Sequence, residues 1–217
     1  MPDAPTSRTQ VHRLPERARY DRDTIDRILD EALICHVAWT DERGRARVLP
    51  TIQARVGDTL YLHGSRGARA WKAVAGGAEV CVAVTIVDGL VLARSAFHHS
   101  MNYRSVVLYG RAREVIEPDE LLTAARAITR HVLPGREDEA RMPDGEEFRQ
   151  TILFAVPIDE ASAKVRTGPP KDDEADLELP IWAGVLPLMT RPGTPEASPD
   201  LLEGIDVPGY VAAAERP

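Results

Sequence analysis

The sequence predicts a mainly antiparallel β protein, a small barrel with a few helices on its outside. Short apolar runs recur along the chain with little between them. Polar or glycine-containing turns such as "DERGR" and Asp88-Gly89 separate neighbouring runs. Helical spacing of apolar residues is confined to a few stretches.

The first helix is "DRDTIDRILDEALI", where Ile25, Ile28, Leu29, Ala32 and Leu33 share a face and Asp23 is the expected N-cap. "ICHVAWT" and "ARVLPTIQARV" then read as two strands around a polar turn, and "VGDTLYLHG" as a third. "ARAWKAVAGG" is a short helix stopped by glycines. "EVCVAVTIV" is apolar at successive positions, the pattern of a strand buried on both faces. Asp88-Gly89 predicts a hairpin into "LVLARSAF", and "SVVLYGRAREV" is the next strand. Pro118 opens a helix, "PDELLTAARAITRHV", whose apolar face is Leu121, Leu122, Ala125, Ile128 and Val132. "TILFAVPI" is a further strand. The segment from Ala161 to Met189 reads as irregular, with one apolar cluster at Trp182. Residues 1–18 are expected to be a mobile lead, 19–190 the domain, and 191–217 a flexible tail rich in Pro, Gly and acids.

A chain of 217 residues, 43% hydrophobic and 28% charged, is long enough for a substantial core. Its net charge of −7 argues against a nucleic-acid binder. The sequence shows no apolar leader and no membrane span, so the cytoplasm is the expected location. Cys35 and Cys81 lie far apart in apolar runs and read as inert thiols. No dinucleotide-binding glycine fingerprint, P-loop or H-E-x-x-H motif occurs.

Against this acidic background, "HGSRGARAWK" concentrates Arg66, Arg69 and Lys72 around Gly64, Ser65 and Gly67. Glycines let backbone N–H groups approach a ligand, a helix start favours an anion, and arginine grips phosphate with parallel hydrogen bonds. The expected ligand is a phosphate. "SAFHHSMNYRSVV" places His98, His99, Asn102, Tyr103 and Arg104 between two apolar strands, a polar cluster suited to ligand binding or to a hydrogen-bonded loop. His98 and His99 alternate along an extended chain, which disfavours a shared metal, and no metal site is expected. Pro50 marks an edge or bulge in "RARVLPTIQ", where exposed backbone can pair with a flat heterocycle.

In this order, "VLPT", "YLHGS", "GARAWKAV", the long strand-loop-strand segment through "HHSMNYR", and "ASAKVRTGPPKDD" resemble the pyridoxamine 5′-phosphate oxidase-like superfamily of FMN-binding split barrels. More narrowly, the sequence resembles the flavin-nucleotide-binding branch near the nitroimidazole-resistance proteins. The resemblance implies a split barrel and a homodimer with FMN at the subunit interface. It implies that Arg47 and the run Val48, Leu49, Pro50 and Thr51 lie along the flavin, and that His63, Gly64, Ser65, Arg69 and Lys72 hold the phosphate. Asn102, Tyr103, Arg104, Ser105 and Trp182 would complete the site, partly from the second subunit. The implied chemistry is two-electron transfer to a small-molecule substrate or acceptor, with Arg47 or Arg104 steadying the reduced flavin; no residue stands out as an obligatory acid or base. The family's adjacent Ser-Arg-Lys is replaced here by Ala68-Arg69-Ala70, and an acidic tail stands where the oxidase binds its substrate. Two other readings remain: a flavin store or sensor without turnover, and a haem-binding split barrel with His63, His98 or His99 as axial ligand.

Overall fold

The structure is a computed structural model that describes residues 5–68 and 70–215. Its elements begin with β1 (Ala18–Arg19), α1 (Arg22–Glu31), β2 (Cys35–Thr40), β3 (Ala46–Thr51), β4 (Gln53–Val56) and β5 (Thr59–Ser65). After α2 (Ala70–Ala75) come β6 (Glu79–Leu92), β7 (Ser100–Arg111) and β8 (Arg113–Glu114). Then follow α3 (Pro118–Val132), α4 (Arg136–Glu139), α5 (Gly145–Gln150), β9 (Thr151–Pro157), β10 (Glu160–Arg166), β11 (Gly184–Pro187) and α6 (Gly209–Ala212).

The strands form two antiparallel sheets. One runs β1-β10-β7-β6-β2-β3 with β11 added to β6, and the other runs β4-β5-β9-β8. The chain passes from one sheet to the other at Ile52, so the single strand expected over 46–56 is two. Pro50 sits on β3, an edge strand, where its missing N–H costs no ladder bond.

Alternation fills the space between the sheets. Val80, Val82 and Val84 of β6, Val106 and Leu108 of β7, Leu60 and Leu62 of β5, and Phe154 and Val156 of β9 are buried there. Helix α1 closes one end with Ile25, Ile28 and Leu29. Its N-cap is Asp21, not Asp23: the Asp21 carboxylate accepts from Thr24 N at 2.9 Å. Buried Gln53 donates to Ala32 O at 2.5 Å, supplying a partner for a carbonyl at the end of the helix. Helix α3 covers the outside of the smaller sheet, where Tyr61, Val115, Ala124, Leu153 and Ala155 make a second core.

Three further expectations are corrected. Strand β6 runs straight through Asp88-Gly89, with only a register shift between Val87 and Gly89. Neither residue has the positive φ a tight hairpin turn requires. The glycine serves packing instead: a Cβ on Gly89 would lie 3.0 Å from Val185 Cγ1, because β11 crosses there. The segment expected to be irregular therefore holds two strands, β10 and β11. Finally, β6 is fully buried on one face only; Cys81 and Ala83 on the other are partly exposed. Past residue 190 the chain has no regular structure until α6, where Tyr210 packs on Gly135.

Candidate functional site

Trp71 fixes the position of α2. Its ring lies nearly parallel to Trp39, 6.3 Å between centroids, and 5.2 Å from Phe154. Helix α2 is thus pinned against β2, and Lys72 stands exposed beside β3. Between α2 and the β2–β3 turn lies a groove of about 680 Å³, within the size range of ligand pockets. Trp39 and Leu49 give it an apolar side, and Val48 projects with 64% of its surface exposed.

Its rim is cationic. Arg43, Arg45, Arg47 and Lys72 face only two carboxylates, Asp41 and Glu42. Asp41 organises the turn: Oδ1 accepts from Arg43 N and Arg45 N at 2.9 and 3.0 Å, and Oδ2 from Arg45 Nε and Arg47 Nε at 2.9 and 3.0 Å. The Arg45 side chain, then the backbone N–H of Arg45, hold this carboxyl well below the usual carboxylate range. It therefore stays ionised across the physiological range. Lys72 makes no ion pair among the described residues. The groove thus keeps positive charge in an acidic protein, with the free edge of β3 beside it.

The structure brings Arg47, Val48, Leu49 and Lys72 into this groove. Thr51 Oγ1 donates to His63 O at 3.1 Å, which ties the end of β3 to β5. Burial lowers the His63 pKa, so this imidazole is neutral near pH 7 and brings no charge to a phosphate. Ser65 is exposed at the end of β5, while Arg66 is drawn to Glu114 at 2.7 Å. Gly64 has a packing role, since a Cβ there would lie 1.9 Å from Trp71 Nε1. Arg69 lies outside the described residues.

The remaining expected residues are elsewhere in this chain. Two strands, β2 and β6, stand between β3 and the β7 residues Asn102–Ser105. Buried Asn102 accepts a hydrogen bond from Arg166. Arg104 is committed to Asp88, at 2.9 and 2.7 Å, and to Glu31, at 2.6 Å, in a separate hollow lined by Ile34 and Met189. Ser105 Oγ donates to Lys164 O at 3.3 Å. Tyr103 is half-buried on the outer face of β7, and Trp182 is 68% exposed. Sequence reasoning missed Trp39, Asp41, Arg43 and Arg45. The signal was present in "TDERGRAR", an acid followed by arginines at alternate positions of a turn and strand.

Two sheets divided at Ile52, flanked by helices and bearing a cationic groove on an edge strand, define a flavin-type split barrel. The family model for pyridoxamine 5′-phosphate oxidase matches residues 21–165. The chain belongs to the pyridoxamine 5′-phosphate oxidase-like family, a flavin-binding split-barrel family.

Among solved structures, the flavocytochrome Anf3 from Azotobacter vinelandii is similar at 38% identity, over 97% of each chain, with a TM-score of 0.89. A FAD and heme binding protein from Mycobacterium smegmatis is similar at 36% identity, over 90% of this chain and 95% of that one, with a TM-score of 0.85. A protein described as a 5-nitroimidazole antibiotic resistance protein from Bacteroides thetaiotaomicron shares the fold at 24% identity, over 68% and 86% of the chains, with a TM-score of 0.59. No curated protein matches the chain. No helix among the described residues is long and apolar enough to cross a membrane.

Proposed function

We propose that the protein is a flavin-dependent oxidoreductase that works as a homodimer on a small-molecule substrate or electron acceptor. The observation that carries this reading is the cationic surplus of the β3–α2 groove over an apolar floor, in a chain of net charge −7. That combination fits a planar ring bearing a phosphate. Lys72, and Arg47 through its free N–H groups, would neutralise the phosphate; Ser65 would donate to it; the free backbone edge of β3 would hydrogen-bond the ring. A bound flavin supplies two-electron transfer. FMN, expected from the sequence, and FAD share the ribityl phosphate that this groove addresses. The FAD and heme binding relative favours the dinucleotide, because it matches nine-tenths of the chain.

The dimer is supported by the outer face of the larger sheet. Ala38, Cys81, Ala83 and Val107 line up across β2, β6 and β7, small and partly exposed. A second copy seated there would bury this face and bring Tyr103 and Trp182 of the partner subunit toward the groove.

A specific observation favours a second redox group, haem. The Nε2 atom of His98 is buried without an aligned hydrogen bond, although Asp173 lies 3.1 Å away. Beside it the Phe97 ring is 86% exposed, edge-on to the imidazole at 5.1 Å. An imidazole next to an exposed aromatic fits a flat apolar macrocycle, and His98 would be its ligand with Nε2 released from Asp173. His99 is the alternative ligand: its Nδ1 is engaged with Ser95 O at 2.9 Å, which would leave Nε2 to bind iron. Bound haem supplies one-electron transfer.

The visible spectrum of the purified protein, with chromatography of the cofactor released on denaturation, tests both parts. Flavin absorbance with released FAD, and a Soret band, are the expected result. A colourless protein that refuses added flavin overturns the proposal. Chemically reduced protein that is not reoxidised by any acceptor makes it a flavin store instead.

A further inference from the structure

Arg166 ends β10 and is 7% exposed, yet no carboxylate among the described residues reaches its guanidinium. Its partners are all neutral. Nη1 donates to Asn102 Oδ1 and, at 3.3 Å, to Gly168 O; Nη2 donates to Pro169 O at 3.3 Å. Nε is buried with no partner. Arginine cannot escape burial by losing its proton, so an uncompensated guanidinium is costly.

The surroundings increase the cost. Arg17 immediately precedes Ala18, which pairs with Lys164 of β10, so it stands beside the end of that strand; it is half-buried and makes no ion pair among the described residues. The acids of the following loop are turned elsewhere. Gly168, at φ +97°, bends that loop back. Asp172 then binds Arg94 N and Nη1, both at 2.8 Å, and Asp173 approaches His98. The contrast with Arg104 is direct: two residues along β7 from Asn102, that guanidinium has two carboxylates of its own.

We propose that Arg166 and Arg17 form an oxyanion site for a small ligand other than the flavin, one that carries a phosphate or carboxylate group. The Arg166 fork offers Nε and an Nη edge to two oxygens, the geometry such groups accept. Asn102 is the positioning residue, holding the fork by its carbonyl. The substrate class implied is a small organic anion, which enters independently of the groove between β3 and α2.

Thermal unfolding and calorimetric titration of the flavin-saturated protein test this, with inorganic phosphate as probe, acetate as the carboxylate arm and chloride at equal ionic strength as control. Saturable stabilisation by phosphate or acetate, with an unchanged flavin spectrum, is expected; the stronger arm identifies the group. Arg17→Gln, on a surface turn, should weaken the binding about tenfold. Arg166→Gln should abolish it, and a folded Arg166→Gln protein of raised melting temperature would further support an uncompensated charge. The proposal is overturned if chloride matches both probes. It is also overturned if Arg17→Gln binds as the parent does, or if only flavin-stripped protein responds, which would make the site part of the flavin's own.

Discussion

A Cβ atom on Gly64 would lie 1.9 Å from Nε1 of Trp71. The indole therefore occupies the space of a side chain on β5, and the glycine is what lets α2 close against the barrel. Gly64→Ala should destabilise the fold by about 1–3 kcal/mol, the usual cost of overpacking. It should also weaken flavin binding, because Lys72 follows Trp71. Urea unfolding and flavin titration check both. Unchanged stability would mean that Trp71 is not seated there.

Lys72 should discriminate between flavins. A charge-assisted hydrogen bond to phosphate contributes about 1.5–3 kcal/mol, less at an exposed site. Lys72→Ala is expected to weaken FMN and FAD about tenfold and leave riboflavin, which lacks the phosphate, nearly unchanged. Fluorescence titration with the three flavins reads this. Equal losses for all three would make Lys72 structural.

The Tyr61–Glu120 pair predicts two pH limbs. Glu120 accepts from Arg113 at 2.8 and 2.5 Å and from Tyr61 OH at 2.9 Å, and its carboxyl lies below the ordinary range, chiefly through Arg113. A carboxyl lowered on folding contributes stability at neutral pH, and that contribution is lost as pH falls through the folded value. Burial, then Glu120, pushes the Tyr61 hydroxyl up to about 12. A raised folded value gives stability that is complete below the unfolded value of about 10 and is lost as pH rises toward about 12. Tyr61→Phe should therefore cost about 1 kcal/mol near pH 7 and flatten the alkaline limb. Denaturant midpoints measured from pH 7 to pH 12 are the check; an identical alkaline limb in the variant refutes it.

Ala83 sits opposite His36 and Val107, at the middle of the small-residue face. Ala83→Arg should convert the expected dimer to a monomer with its fold intact, because the new side chain points away from the core. Light scattering together with circular dichroism decides it. A dimer that persists in the variant places the interface elsewhere.

Much of this architecture was legible in local pattern. Helix α3 begins at Pro118 as expected; Leu121 and Ile128 turn toward the smaller sheet, whereas Leu122 and Val132, expected beside them, are exposed and Ala124 is the buried residue. What sequence could not supply was any feature decided by a distant segment. Asp88-Gly89 has the composition of a turn, but its glycine answers to β11, almost a hundred residues on. Arg104 looked available for a ligand because Glu31 and Asp88 are remote in sequence. The groove was half visible: Lys72 stood out beside glycines, whereas Arg43 and Arg45 passed as ordinary turn residues until the fold set them opposite it.

The clamp on Asp41 has a consequence for recognition. Long arginine side chains normally surrender rotamer freedom when they grip a ligand, at about 0.5–1.5 kcal/mol each. Arg45 and Arg47 have already given up much of theirs to one carboxylate that stays ionised. An anion bound there would meet a rim whose ordering was completed when the chain folded, so selectivity in this groove would come from fit to a fixed shape rather than from closure around the guest.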